Sequence, residues 1–430
     1  MNNLFCPYHG RTSVDELTFS CSCTNPCFRN HSAINDVINV LNKNRETPIQ
    51  YSKDACDSKK LLNQIERCPK GSIIKIFCGT CKGREIGYLL KKIDFENQIT
   101  TTFVGAPSTG KSNMIACLYE SIKEYTTTNK TSLTIHPRMF KKDFDDTYLK
   151  PLFPPTNSNE KPRVITKTEK DAQELFILEI KAHKSFIDDD QYENILEKSE
   201  ASKWHSVEFE NHNIFFYDYA GEKLLDYNDV SKLHSVIVSN CIILLIDPAS
   251  LNISEYFYVK NEKKLSSQYD NLDILNNILG NFPDKKLKKL IIVLSKADNF
   301  FRGCHYPNPF SKGNEELVKA SEKVFEMYFD KPHKKIIIDE DENNERIIIN
   351  YNWINKYSKV CEKFFRSIDK ETSNLPQLID EAKANAEEVF CFVVSSFGAV
   401  GVIEENEIQF LKGRPEMRHL DNLFYTIIKN

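Results

Sequence analysis

No stretch of this 430-residue chain approaches the ~20 uninterrupted apolar residues that a membrane-spanning helix requires. Positive charge is not in excess either: 57 Lys and Arg face 61 Asp and Glu, a formal net charge of −4. That balance gives no global reason to expect a nucleic acid or an anionic membrane surface as partner, and leaves only local basic patches to consider. Internal repeats and long low-complexity tracts are lacking. The first residues, MNNLFCPYHG, do not show the basic-then-apolar order of a secretory signal, so the expected location is the cytoplasm. In that reducing compartment cysteines stay free or bind metal rather than pair.

Apolar residues make up 40% and charged residues 27%, the proportions of a folded globular protein, and the length suits two or three domains. The 13 cysteines are unevenly spread: eight precede residue 82. The others, Cys117, Cys241, Cys304, Cys361 and Cys391, sit mostly among apolar neighbours and read as small core residues. Residues 1–95 form one polar, cysteine-rich unit with a helical-looking segment over Ser32–Asn44. From residue 96 onward the pattern is that of a layered α/β domain. Short apolar runs at Ile99–Val104, Asn213–Asp218, Cys241–Asp247, Lys289–Leu294 and Val389–Val394 read as buried strands of a mainly parallel sheet covered on both faces. Residues 112–125 carry apolar positions at helical spacing. Long connecting segments, about 126–212, 251–288 and 299–388, read as insertions that build partner surfaces, lids or extra layers. The middle one looks mostly helical. The last contains KKIIIDEDENNERIIINYNW, which reads as a β-hairpin.

The strongest local signal is GAPSTGKS, Gly105–Ser112, between a predicted strand and a predicted helix. Glycines let consecutive backbone N–H groups converge on phosphate oxygens, and the following helix aims its positive end at the same anion. Lys111 supplies a cation for the terminal phosphates and the Ser112 hydroxyl a ligand for Mg²⁺. Ser108, Thr109, Gly110 and Asn113 complete the expected nucleotide-contacting set. Asp218, in DYAG at the end of the next strand, is the expected second Mg²⁺ residue, and Gly221 lets the backbone approach the γ-phosphate. Ser295-Lys296-Ala297-Asp298 ends another strand, and Ser395-Ser396-Phe397 ends the last.

GAPSTGKS, YDYAGE (Tyr217–Glu222), LIDP (Leu245–Pro248) and SKAD together resemble the translation-factor-related (TRAFAC) class of P-loop GTPases, and within it the prokaryotic double-GTPase-like group. The resemblance covers roughly residues 95–430. It implies GTP and GDP as ligands, Mg²⁺ as cofactor, and GTP hydrolysis coupled to a switch or to partner assembly in a prokaryotic conflict or signalling system. SKAD resembles the N/T-K-x-D motif: Asp298 would accept the N1–H and 2-amino group of guanine, and the Lys296 stem would pack on the base. Ser295 replaces the usual Asn or Thr, and its hydroxyl can still bond across to the phosphate loop. Ser395 and Ser396 resemble the last base-contacting loop. Glu222 follows the DYAG glycine, where a water-orienting residue is expected; a solvated loop Glu is the equal alternative. The resemblance implies a switch threonine within 126–212. Thr156, in PLFPPTN, is the choice, with Thr147, Thr166 and Thr168 as alternatives. No arginine finger is assigned; Arg138 and Arg163 read as surface residues.

Two short knuckles in the N-terminal unit, Cys6-Pro-Tyr-His9 and Cys78-Gly-Thr-Cys81, make a Cys₃His set suited to structural Zn²⁺, the pattern of a zinc-ribbon-like module. Cys21, Cys23, Cys27 and His31 form a less regular second set. Three further readings stand beside the hydrolase: a nucleotide-gated binding module with negligible turnover, an ATPase that mimics SKAD, and nucleic-acid binding through the N-terminal module. The last is the weakest, because residues 1–95 have no concentrated basic stripe.

Overall fold

The structure is a computed structural model that describes residues 4–6, 10–12, 17–21, 49–50, 74–78, 84–89, 98–107, 109–128, 134–137, 144–165, 173–183, 209–219, 224, 226, 228, 236, 239–248, 251, 271–282, 286–297, 315–329, 336–341, 344–349, 351–368, 374–398, 402–405 and 408–428. The helical-looking stretch Ser32–Asn44 lies outside them.

In the N-terminal unit β1 (Leu4–Cys6) and β2 (Gly10–Thr12) form an antiparallel hairpin. β3 (Leu17–Cys21), β4 (Ile49–Gln50), β5 (Ile74–Cys78) and β6 (Arg84–Leu89) form an antiparallel sheet in the order β4-β3-β5-β6.

The main sheet begins with β7 (Gln98–Gly105), which runs into α1 (Lys111–Thr128). It continues with β8 (Thr134–Pro137), β9 (Gln173–His183), β10 (Phe209–Tyr219) and β11 (Cys241–Ile246). After α2 (Asn271–Leu279) comes β12 (Leu287–Leu294). Then follow α3 (Glu315–Tyr328), the hairpin β13 (Ile336–Asp341) and β14 (Asn344–Ile349), α4 (Tyr351–Ser367), α5 (Leu375–Asn385) and β15 (Ala386–Val393). A second hairpin, β16 (Val402–Glu405) and β17 (Ile408–Leu411), and α6 (Leu420–Ile428) complete the fold.

Seven strands pair in the order β15-β12-β11-β7-β10-β9-β8. Four parallel pairings join β15, β12, β11, β7 and β10, while β9 and β8 add antiparallel on the β10 side. Every residue of β11 is buried, and every residue of β12 except Lys288. Successive side chains point to opposite faces, so both faces of the sheet centre are covered, as a parallel sheet demands. The coverings are helices. α1 and α6 pack together over β7, α2 packs on α5, and α4 lies against β15 and α3. α4 has a sharp division of faces: Trp353, Ile354, Tyr357, Cys361, Phe364 and Phe365 are buried, while Asn352, Lys356, Lys359 and Lys363 are exposed. The result is a mixed α/β fold with a mainly parallel sheet. All three long connecting segments contribute to it directly: 126–212 supplies β8 and β9, 251–288 supplies α2, and 299–388 supplies α3, α4 and α5.

Candidate functional site

All five parallel strands point their C-terminal ends to one edge of the sheet. Strand order reverses there, because β7 is followed on one side by β10 and on the other by β11. Crevices at such switch points are where open parallel sheets bind ligands. The sequence motifs all lie on this edge. β7 delivers Gly105, β10 delivers Asp218, β11 delivers Asp247, β12 delivers Ser295 and β15 delivers Ser395. The registers align Asp218 with Phe103, Gly105 with Leu245, Ile246 with Leu294, and Leu294 with Val393.

Gly105 has φ +149° and Gly110 has φ +88°, both in territory that favours glycine. A Cβ on Gly105 would stand 2.4 Å from the Leu245 carbonyl oxygen, so β7 and β11 approach too closely there for any side chain. Between the glycines the chain curls on itself. The Thr109 hydroxyl donates to the Ala106 carbonyl at 3.0 Å, and the Gly110 carbonyl takes the first helical bond, from Met114 N–H at 2.9 Å. Lys111 opens α1. Its ammonium is buried and donates to the carbonyls of Gly105 and Ala106 at 3.0 and 3.1 Å. Loop, cation and helix N-terminus thus form one compact unit of donors.

The SKAD motif touches this unit. The buried Ser295 hydroxyl lies 3.1 Å from both the Thr109 and the Ile246 carbonyls, so it spans from the end of β12 to the glycine loop. Lys296 has φ +52°, an uncommon conformation for a non-glycine residue. That turn sends its stem past Gly110, where a Cβ would stand 4.0 Å from Lys296 Cε. Its ammonium reaches Asp247 Oδ2 at 2.6 Å. Sequence reasoning quoted LIDP as part of a resemblance but assigned Asp247 no role; the structure makes it the anchor of Lys296. Ser395 is fully buried, and its hydroxyl accepts the Gly398 N–H at 2.8 Å. Its backbone exchanges two bonds with Arg418, which fastens this turn to the approach to α6. Ser396 is half-buried beside it.

Other expected site residues are placed less fully. Ser112 and Asn113 are half-buried in the first turn of α1. The Asn113 side-chain carbonyl accepts the Ile165 N–H at 3.0 Å. Thr156 is exposed in the turn that follows Pro155. Of its alternatives, Thr147 is exposed in the helical turn Asp145–Leu149, and Thr166 and Thr168 lie outside the described residues. Asp218 is placed by its backbone alone. Ser108, Gly221, Glu222 and Asp298 lie outside the described residues, as does Arg138; Arg163 is exposed and bridges to Phe410.

Cys6 closes β1 and Cys78 closes β5, each on a strand whose antiparallel partner, β2 or β6, follows it in the chain, and Cys21 closes β3. His9, Cys81, Cys23, Cys27 and His31 lie outside the described residues. Among the described residues no group of three or more His, Cys, Asp or Glu is placed to hold a metal, a statement that does not reach these knuckles. Four of the scattered cysteines are buried core residues. Burial pushes the Cys241 and Cys361 thiols up to about 12, and drives those of Cys117 and Cys391 well above the usual thiol range. Cys304 lies outside the described residues.

No family profile matches the chain, and no curated protein does. Among solved structures, the Saccharomyces cerevisiae Ski7 GTPase-like domain bound to GTP is similar at 14% identity and TM-score 0.22, over 49% of this chain and 36% of that one. A Thermus thermophilus protein is similar at 8% identity and TM-score 0.25, over 70% of this chain and 38% of that one. The chain spans little more than a third of either, and at these scores neither likeness bears on the argument. Strand pairing and loop geometry carry it instead.

Proposed function

We propose that the chain binds guanine nucleotide with Mg²⁺ at the C-terminal edge of its sheet and hydrolyses GTP. The observation that carries this reading is the Ser295 hydroxyl on the Thr109 carbonyl. It joins a base-side loop to a glycine loop already curled around a lysine ammonium at the head of a helix. In this reading loop amides and Lys111 neutralise the phosphates, and Lys296, held by Asp247, forms a wall of the base slot. Asp298 selects guanine; Ser395 and Ser396 close the slot from β15. Ser112 and Asp218 offer hydroxyl and carboxylate oxygens, the hard donors that suit Mg²⁺. Such an ion, when bound, neutralises charge that develops on the transferring phosphoryl group. Glu222 orients the attacking water, and Thr156 reports the γ-phosphate.

The switch part of the reading has its own support. Segment 162–165 follows Thr156 and is strapped at two places. Ile165 N–H donates to Asn113 on α1. Val164 N–H donates to the Gln409 carbonyl, and Leu411 N–H to the Pro162 carbonyl, on β17. Order or release of this strap would transmit nucleotide state to the β16–β17 hairpin, whose Val402, Ile403 and Ile408 are exposed. A protein partner in a conflict or signalling system belongs to the same proposal. So does a structural zinc on Cys6, His9, Cys78 and Cys81, thiolate and imidazole ligands that suit the ion, with Cys21, Cys23, Cys27 and His31 as a second set. The domain division 1–95 and 96–430 follows from it.

The test is equilibrium binding of GTP, GDP and ATP with Mg²⁺ to the wild type, Lys111→Ala and Asp298→Asn, with turnover followed in the same samples. Guanine-selective binding that is lost in Lys111→Ala and made unselective in Asp298→Asn is expected. ATP binding equal to GTP binding in the wild type overturns the guanine assignment. Tight GTP binding without turnover replaces the hydrolase by a nucleotide-gated binding module.

A further inference from the structure

α3 and α4 pack side by side and leave a groove of about 440 Å³ between them. Its walls carry Lys323 from α3 and Lys356, Lys359 and Lys363 from α4, with Asn352 and Asn355 at one end. Its floor is Ala320 and Val360. None of this belongs to the nucleotide site.

All four lysines are exposed, and none is in an ion pair among the described residues. Their neighbours behave differently. Lys319, on the same helix as Lys323, pairs with Glu315. Arg366, one turn beyond Lys363, pairs with Glu362 and Asp380, and Lys383 pairs with Glu362. Cations on the adjoining faces are thus matched with acids, while those facing the groove are left to repel one another. Lys359 and Lys363 are four residues apart on one helix, a spacing at which like charges repel and destabilise the helix. At 1.5 Å per residue the three α4 lysines span about 10 Å of helix axis, and Lys323 faces them from the other wall. A single small anion would engage one or two of them. Engaging all four takes an extended polymer with regularly repeated negative charge.

We propose that the α3–α4 groove binds the sugar–phosphate backbone of a nucleic acid strand. Lysine binds phosphate as a point charge, and the two asparagine amides both donate and accept, which suits sugars and base edges. Among the described residues no arginine lines the groove to grip carboxylates in a bidentate fork, which disfavours an acidic peptide. A membrane surface is disfavoured by the lining: among its described residues only Ala320 and Val360 are apolar, too small a surface to anchor in lipid. The overall charge of −4 makes the groove a local attractor on an otherwise acidic protein.

The experiment is fluorescence anisotropy of labelled single-stranded RNA and DNA 20-mers with the full chain, titrated at several salt concentrations. The variants are Lys359→Gln/Lys363→Gln, the same pair as Lys→Glu, and Lys319→Gln outside the groove. Circular dichroism and GTP binding serve as folding checks. Four phosphate contacts give a slope of log K against log salt near −3, at about −0.7 per contact, and each neutralised lysine flattens it by about 0.7. The Gln pair is expected to weaken binding at least tenfold at 100 mM salt, the Glu pair to abolish it, and Lys319→Gln to leave it unchanged. Wild-type protein that fails to bind either oligonucleotide overturns the proposal. So does binding that the groove variants leave intact, or binding to poly-glutamate or phosphatidylserine vesicles in place of nucleic acid.

Discussion

Replacing Gly105 by Ala tests the phosphate loop through its most constrained residue. The new Cβ would stand 2.4 Å from the Leu245 carbonyl oxygen and 3.1 Å from Thr109 Oγ1. The first neighbour is backbone of β11, locked on both sides by parallel pairing to β7 and β12, so it cannot step aside alone. Forcing a side chain onto φ +149° costs about 1–3 kcal/mol, and overpacking against fixed atoms about 1–3 kcal/mol more. A total of about 2–6 kcal/mol is a large share of the ~5–15 kcal/mol that stabilises a folded domain. At a urea slope of about 3 kcal/mol/M the unfolding midpoint falls by roughly 0.7–2 M. Two companions calibrate the result. At Gly110 (φ +88°) a Cβ meets only Lys296 Cε, at 4.0 Å, so Gly110→Ala carries strain without overlap. At Gly413 a Cβ meets nothing within 4 Å, so Gly413→Ala is expected within about 1 kcal/mol of wild type. Urea unfolding followed by circular dichroism ranks the three. A Gly105→Ala protein as stable as Gly413→Ala refutes the close approach of β7 to β11, and with it the loop geometry from which the nucleotide site was built.

Three further expectations concern other parts of the molecule. Asp247→Ala releases the ammonium of Lys296; a partly exposed ion pair contributes only about 1 kcal/mol to stability, so the expected effect is mainly a several-fold rise in the Kd for GTP, read by nucleotide titration, and an unchanged Kd removes Asp247 from the site. Cys117, Cys241, Cys361 and Cys391 are buried with raised thiol pKa values, so they should resist Ellman's reagent in native protein and react once urea unfolds it, as peptide mapping of the labelled sites would register. Burial works against ionised Glu362, but hydrogen bonds from Lys383 and Arg366 outweigh it and hold the carboxyl below its usual range. A depressed acid stabilises above its unfolded pKa and loses that contribution as pH falls through the folded value. Glu362→Gln should therefore cost about 0.5–1 kcal/mol near neutrality, a gap that closes as pH drops from about 4.3 downward; a gap that widens on acidification contradicts the assigned network.

What the sequence disclosed follows from where burial is continuous. β11 and β12 are covered on both faces along nearly their whole length, so their apolar runs are unbroken and legible without a partner; β7 is as deeply buried but carries Thr100–Thr102, and β15 is buried continuously only from Phe390 onward. β9 and β8 were not foreseen as sheet members, because they add to the sheet on the β10 side only through antiparallel pairing. β10 likewise extends beyond its apolar stretch through the mostly polar segment Phe209–His212, held by an 11-residue ladder with β9. Pairing, rather than local composition, makes these residues strand. α4 is masked for a different reason: Asn352, Asn355, Lys356, Lys359, Glu362 and Lys363 interrupt its buried apolar stripe along the chain, and the stripe becomes continuous only when the residues are wound at 3.6 per turn.

The site divides in the same way. GAPSTGKS is legible because each constraint in it is local: a glycine where no Cβ fits, a glycine at positive φ, a lysine at the first position of a helix. The Asp247–Lys296 pair is not local. The two residues stand 49 positions apart on neighbouring strands, and their contact emerges only once Ile246 and Leu294 are in register. The same holds for the four groove lysines. Along the chain Lys323 sits between Glu322 and Glu326, and Lys363 follows Glu362, so the linear pattern reads as ordinary mixed charge. Helical periodicity sends those acids to other faces, where Glu362 is occupied by Lys383 and Arg366. Packing α3 on α4 then gathers the lysines that remain. A net charge of −4 says nothing about such a surface, because total charge is a sum over the chain whereas a binding groove is a selection from it, made by helix phase and by which helices touch.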